Sequence, residues 1–67
     1  SEETQQMLSC LKPQDRELFI KLYVEEKPFD EISKEMHTKK PVLYNRLFRS
    51  KKKLRALFPK MTSMNIT

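Results

Sequence analysis

Apolar residues recur at intervals of three and four along the first half of this chain, which is the spacing of one helix face. They predict a first helix over residues 2–11, with acids at its start, where the helix dipole favours negative charge. Pro13 suits the first position of a second helix over residues 13–26, whose apolar face carries Leu18 and Leu22. Both segments are therefore predicted to be amphipathic helices.

The second half of the chain predicts two further helices around a tight turn. The segment FDEISKEM, residues 29–36, places Ile32 and Met36 on one face of a short helix. The next four residues, HTKK, are too few for anything except a tight turn. A longer helix is predicted over about residues 40–58, and Pro59 is expected to end it.

The last predicted helix has a single apolar seam. Leu43, Leu47 and Leu54 follow a spacing of fours and threes, and Ser50 in the same row is small where helices approach closely. The positions on the opposite face are Pro41, Asn45, Arg49 and Lys52. The pattern predicts an all-α fold, with core positions at Leu18, Leu22, Ile32, Met36, Leu43, Leu47 and Leu54.

Charge is divided unevenly between the two halves of the chain. Residues 1–36 carry five basic and nine acidic side chains, whereas residues 37–67 carry nine basic side chains and no acid. This asymmetry indicates a polyanionic partner for the second half. A solvated basic face and a membrane-surface helix have the same composition, but the apolar seam is needed for the core of the domain.

Composition excludes several classes of function. A length of 67 residues allows one small domain, which we expect to be a fragment of a longer protein because it begins with Ser1. A single Cys and a single His leave no disulfide and no zinc site, and no acid–base constellation or Gly-rich phosphate loop is present. We therefore expect no enzyme activity, cofactor, metal, small-molecule ligand or membrane partner, and a cytoplasmic protein.

The last two predicted helices are separated by about four residues, and the second of them carries basic residues on the side opposite its apolar seam. This arrangement is typical of a helix-turn-helix, which is predicted here over about residues 29–58. The second helix of this motif lays its first turns into the major groove of DNA, which is about 12 Å wide. Side chains there that can reach base edges are Lys39, Lys40, Tyr44 and Asn45. Later cations suited to phosphates are Arg46, Arg49, Lys52 and Lys53.

Three segments resemble a known family. RELFIKLY (residues 16–23), DEIS (residues 30–33) and RLFRSKKKLR (residues 46–55) resemble region 4 of the sigma-70 family, in particular the extracytoplasmic-function group. The similarity covers about 48 of the 67 residues, and the RLFR and KKLR ending combined with the upstream spacing is fairly specific.

This resemblance implies a small four-helix domain over residues 1–58 with a C-terminal helix-turn-helix. The polar segment after it predicts a flexible tail over residues 59–67. It implies that the domain recognises the −35 element of double-stranded promoter DNA and holds the flap of the β subunit of core RNA polymerase. An anti-sigma factor is a further candidate partner. The base-reading positions implied by the family are Lys39, Lys40, Pro41, Tyr44 and Asn45, and the phosphate positions are Arg46, Arg49, Lys52 and Lys53.

The chain departs from the family pattern around the turn. The family usually has Gly and then an aliphatic residue where this chain has His37 and Thr38. We expect His37 to adopt a left-handed conformation, and Thr38 to cap the last helix. Pro41 stands where the family often has Gly, within the first helical turn, where it breaks no hydrogen bond.

Two other functions are compatible with these residues. Another helix-turn-helix regulator, such as a LuxR-type output domain or a phage or transposon protein, would bind DNA without polymerase. A protein-interaction module would bind polymerase or an anti-sigma factor and no DNA. This reading is left open by the departures at His37 and Pro41, and by Pro28, which stands where the family usually has a Ser-type cap before the preceding helix.

Overall fold

The computed structural model describes residues 2–59, and this part of the chain is helical, with no strand. The helices are α1 (Glu2–Ser9), α2 (Pro13–Phe19), α3 (Phe29–Glu35) and α4 (Lys40–Leu57). The all-α prediction is confirmed, and the four helices lie where the sequence pattern placed them. The tail predicted to be flexible lies outside the described residues from residue 60 onwards.

The second predicted helix is not a regular α-helix throughout. Its last part, Ile20–Val24, is a π-helical turn, in which the Glu25 amide donates to the Ile20 carbonyl at 2.9 Å. Glu26 then ends the helix with a φ of 53°. A left-handed residue at this point usually favours glycine, which this chain lacks altogether.

The turn between α3 and α4 is a Schellman motif built without glycine. His37 has a φ of 50°, as predicted, and its amide donates to Lys34 O at 3.3 Å. The Thr38 amide donates to Ser33 O at 3.1 Å, which completes the two bonds of the motif. The Ser33 hydroxyl also donates a hydrogen bond to Thr38 O at 2.6 Å, which adds a second link across the same turn.

The prediction that Thr38 caps α4 is wrong. Its hydroxyl donates instead to Met36 O at 2.8 Å, so it stabilises the turn behind it. Lys39 occupies the N-cap position in an extended conformation and makes no side-chain cap. Pro41 lies in the first turn as predicted, where its missing amide hydrogen would have had no helical acceptor.

The core is built from two adjoining clusters. Leu18, Ile32 and Leu43 are fully buried where α2, α3 and α4 meet. The second cluster, between α1, α2 and α4, contains Met7, Leu11, Phe19 and Leu54. Burial is confirmed for Leu18, Ile32, Leu43 and Leu54, and Ser50 is also buried in the seam, with 3% of its surface exposed.

The remaining predicted core positions lie at the edge of the core. Leu22, Met36 and Leu47 are half-buried and pack against the buried clusters. At the end of the seam, Phe58 packs on the cluster that contains Leu54, whereas Leu57 is 53% exposed. One side of α4 therefore packs on the core, and the opposite side of the helix is exposed to solvent.

Candidate nucleic-acid interface

The first two turns of α4 present the five predicted base-reading residues on the surface. All five have exposed side chains: Lys39, Lys40, Pro41, Tyr44 and Asn45. Between them in the sequence, Leu43 is fully buried and anchors the same turns in the core. The amide of Asn45 has no hydrogen-bonding partner among the described residues, so its donors and acceptor are available to a ligand.

Two of these five side chains are engaged by α3, which sequence reasoning missed. Lys40 forms an ion pair with Asp30 in the first turn of α3. The hydrogen bond raises the pKa of the Lys40 ammonium and lowers the pKa of the Asp30 carboxyl. Tyr44 stacks on Phe29, with ring centroids 4.4 Å apart and planes 20° from parallel. These two contacts fix the position of the start of α4 against α3.

The predicted phosphate-binding residues follow along the same helix. Arg49, Lys52 and Lys53 are exposed, whereas Arg46 is half-buried at the flank of the seam. Among the described residues, none of these four side chains forms a salt bridge or hydrogen bond. Their charge is therefore uncompensated within residues 2–59.

The salt bridges found within residues 2–59 involve α4 only at Lys40. Every salt bridge found in residues 2–59 lies between residues 17 and 40. Glu35 is the centre of this network, because its carboxylate accepts from Lys21 Nζ at 2.5 Å and from Lys27 Nζ at 2.8 Å. These two bonds, Lys21 first, lower the pKa of the Glu35 carboxyl. The network holds α3 to the π-helical turn, and within residues 2–59 no acid forms a salt bridge with the cations of α4 that follow Lys40.

An exposed aromatic side chain was missed as a candidate for this interface. Phe48 is 65% exposed and lies one turn after Tyr44 on the same side of α4. The sequence did contain a signal for this exposure. Phe48 lies outside the apolar seam formed by residues 43, 47, 50 and 54, so its ring was predictable as exposed. An apolar side chain beside the predicted base-reading residues has the chemistry to pack on the methyl group of thymine.

Within residues 2–59, no three His, Cys, Asp or Glu side chains are grouped so that they could hold a metal ion. None of the helices in this part of the chain has the length and apolar character needed to cross a membrane.

Comparison with known proteins agrees with this geometry. The family model described as "Sigma-70, region 4" matches residues 1–54, a range that ends at Leu54, the last buried leucine of α4. Neither the curated proteins nor the solved structures contain a match to the chain.

Proposed function

This chain belongs to the sigma-70 region 4 family, and from that premise we propose that it recognises the −35 element of promoters as part of an alternative sigma factor. Region 4 of this family is a non-enzymatic, DNA-binding helix-turn-helix domain that acts in transcription with RNA polymerase. The finer proposal covers the DNA element, the extracytoplasmic-function type and the residues that carry recognition.

The observation that carries the proposal is the two-sided character of α4. One side docks through Leu43, Ser50 and Leu54, which are buried, and the other side is exposed and positively charged. An α-helix with its side chains is about 10–12 Å across, which matches the width of the major groove. A helix docked in this way can enter the groove without disturbing the core of its own domain.

Base reading is proposed for the first two turns of α4. Asn45 can pair bidentately with adenine, and Lys39 or Lys40 with the O6 and N7 atoms of guanine. To contact a base, Lys40 would have to leave the Asp30 carboxylate. The free energy gained from the base contact is therefore reduced by the loss of that ion pair. The side chain of Pro41 offers only apolar contact, and Tyr44 offers one hydroxyl at the edge of its stacked ring. Both are therefore proposed to contribute more to shape complementarity with the groove than to hydrogen bonding.

Phosphate binding is proposed for the exposed cations Arg49, Lys52 and Lys53, with Arg46 beside them. Each phosphate that is neutralised releases counterions, so binding weakens as salt rises. These contacts hold α4 in register on the duplex and carry no sequence information themselves. We therefore propose that the later turns of α4 position the domain on the duplex and that its first turns read the bases.

A second surface is proposed for core RNA polymerase. Tyr23 is 42% exposed and Val24 is 64% exposed at the end of the π-helical turn. The sequence over residues 18–23 resembles the part of the family that neighbours polymerase. An exposed apolar pair of this kind fits a protein partner such as the flap of the β subunit better than it fits DNA.

Selection from a randomised duplex library, combined with capture of core RNA polymerase, tests the proposed function. We expect one sequence motif to be enriched at moderate salt and core polymerase to be retained by the same chain. An enriched motif without polymerase binding would identify another helix-turn-helix regulator. Polymerase binding without any affinity for DNA at low salt would identify an interaction module and contradict the proposal.

A further inference from the structure

One carboxylate lies at the edge of the proposed base-reading surface. Asp30, in the first turn of α3, forms an ion pair with Lys40, and its side chain is 70% exposed, against 49% for the side chain of Lys40. Of the salt bridges found in residues 2–59, this one alone involves α4. The carboxylate and the ammonium group therefore lie at the same place on the surface, and a duplex that contacts one of them approaches the other.

The position of Asp30 beside α4 does not depend on the ion pair alone. The neighbouring Phe29 stacks on Tyr44 with ring centroids 4.4 Å apart. Ile32, in the same helix, is fully buried in one cluster with Leu43. An exposed ion pair adds little stability in comparison. We therefore expect α3 to stay in place when the carboxylate is removed, so a variant at Asp30 reports on charge and not on folding.

The ion pair limits what Lys40 contributes to the binding of an arbitrary sequence. A free lysine is satisfied by a phosphate of any duplex, and such a contact carries no sequence information. If Lys40 leaves Asp30 for a phosphate, the carboxylate loses its partner close to the negative charges of the backbone, and like charges repel. Binding to an arbitrary sequence therefore gains little from Lys40.

A G·C base pair offers a partner to both groups. In the major groove, guanine presents two acceptors, O6 and N7, to a lysine, and cytosine presents its N4 amino group to a carboxylate. Adenine and thymine present only one acceptor each. At a G·C pair, Lys40 can therefore donate to guanine while Asp30 accepts from cytosine, and neither charge is left without a partner.

We infer that Asp30 is a specificity-determining residue of this domain, which withholds Lys40 from phosphates and releases it to a G·C pair. The inference rests on the DNA binding proposed above and adds a repulsive element to it. Specific recognition commonly combines attraction to the correct partner with a penalty against the others. Asp30 supplies the penalty, and Lys40 supplies the attraction.

Asp30→Ala tests this role by fluorescence anisotropy with a scrambled and a selected duplex. At 0.1 M salt, the affinity for the scrambled duplex is expected to rise about sevenfold, because Lys40 becomes one further phosphate contact. For the same reason, the slope of log K against log salt is expected to steepen by about 0.9. The affinity for the selected duplex is expected to change much less, because the ion pair that no longer breaks offsets the lost cytosine contact. Duplex selection with the variant is expected to lose its preference at one G·C position.

Glu31→Ala is the matched control. Glu31 lies in the same turn of α3, is exposed, and forms no salt bridge within residues 2–59. The control removes the same charge and is expected to leave the salt slope for the scrambled duplex unchanged. When Lys40→Gln is already present, Asp30→Ala is expected to have no larger effect than Glu31→Ala, because no lysine is left to release.

Two results would overturn the inference. One is an equal gain in affinity for the scrambled duplex from Asp30→Ala and Glu31→Ala. The other is a gain from Asp30→Ala that persists in full beside Lys40→Gln. Neither result would touch the proposed promoter recognition, because the unchanged chain would still enrich a motif. Failure of the proposed function has a different signature, since no motif would be enriched, while the measurements on the scrambled duplex would still decide whether Asp30 withholds Lys40 from phosphates.

Discussion

Leu43→Ala is expected to remove most of the stability of the domain. Leu43 is fully buried and joins Leu18 and Ile32 where three helices meet. Truncating a buried leucine to alanine costs about 2–5 kcal/mol, because apolar contacts are lost and a cavity is left. A chain of this length holds roughly 3–10 kcal/mol in total, so the loss is comparable with the whole.

Urea unfolding followed by far-UV circular dichroism measures this effect. Leu57→Ala is the matched control, because it makes the same substitution on the same helix at a residue that is 53% exposed. The control is expected to change the free energy of unfolding by about 0.5 kcal/mol or less. Equal unfolding midpoints for the two variants would show that the seam of α4 does not hold the core.

The double variant Arg49→Gln/Lys52→Gln is expected to lose DNA affinity on the order of fifty-fold at 0.1 M salt. Each phosphate contact contributes about 0.9 to the slope of log K against log salt, so removing two contacts lowers that slope by about 1.8. Both side chains are exposed and unpaired among the described residues, so their removal leaves no buried charge behind. Fluorescence anisotropy with a labelled duplex at several salt concentrations gives both quantities.

Gln5→Glu/Gln6→Glu is the control for net charge. It also lowers the charge by two, but on the exposed surface of α1, outside the proposed interface. We expect it to leave the salt slope unchanged and the affinity within a few-fold of the unchanged chain. If both double variants lost affinity equally, the effect would come from overall charge and not from phosphate contacts by α4.

The sequence predicted the helices and their buried sides well, because both depend on side-chain periodicity alone. Leu43 and Leu54 follow the spacing of one helix face, and both are fully buried. The left-handed conformation of His37 was also predictable, since a turn this short needs such a residue to reverse the chain. Membership of the sigma-70 region 4 family was carried by the same local patterns.

Backbone hydrogen-bond register was not predictable in the same way. The π-helical turn at Ile20–Val24 keeps apolar side chains at helical spacing, so the pattern did not reveal it. Glu26 gave no signal of its positive φ, because glutamate has no special preference for that region. Thr38 was expected to cap α4 because of its residue type, but the compact turn uses its hydroxyl first.

The contacts between helices were also not predictable from the sequence. The Asp30–Lys40 ion pair and the Phe29–Tyr44 stack depend on how α3 crosses α4, which no local pattern encodes. A cavity lined by Leu11 and Lys12 on one side and by Arg49 and Ser50 on the other likewise exists only once the α1–α2 turn has come against α4. For the same reason, the sequence predicted which side chains of α4 are exposed, but not which of them are engaged by α3.

The ratio of affinities for the selected duplex and for a scrambled duplex of equal length tests the proposed role of α4 most directly. At one salt concentration, Asn45→Ala is expected to lower this ratio about tenfold, because a bidentate base contact is lost. Lys52→Gln is expected to weaken binding to both duplexes equally and leave the ratio unchanged. An unchanged ratio for Asn45→Ala, or a ratio lowered equally by both variants, would contradict base reading by the first turns of α4.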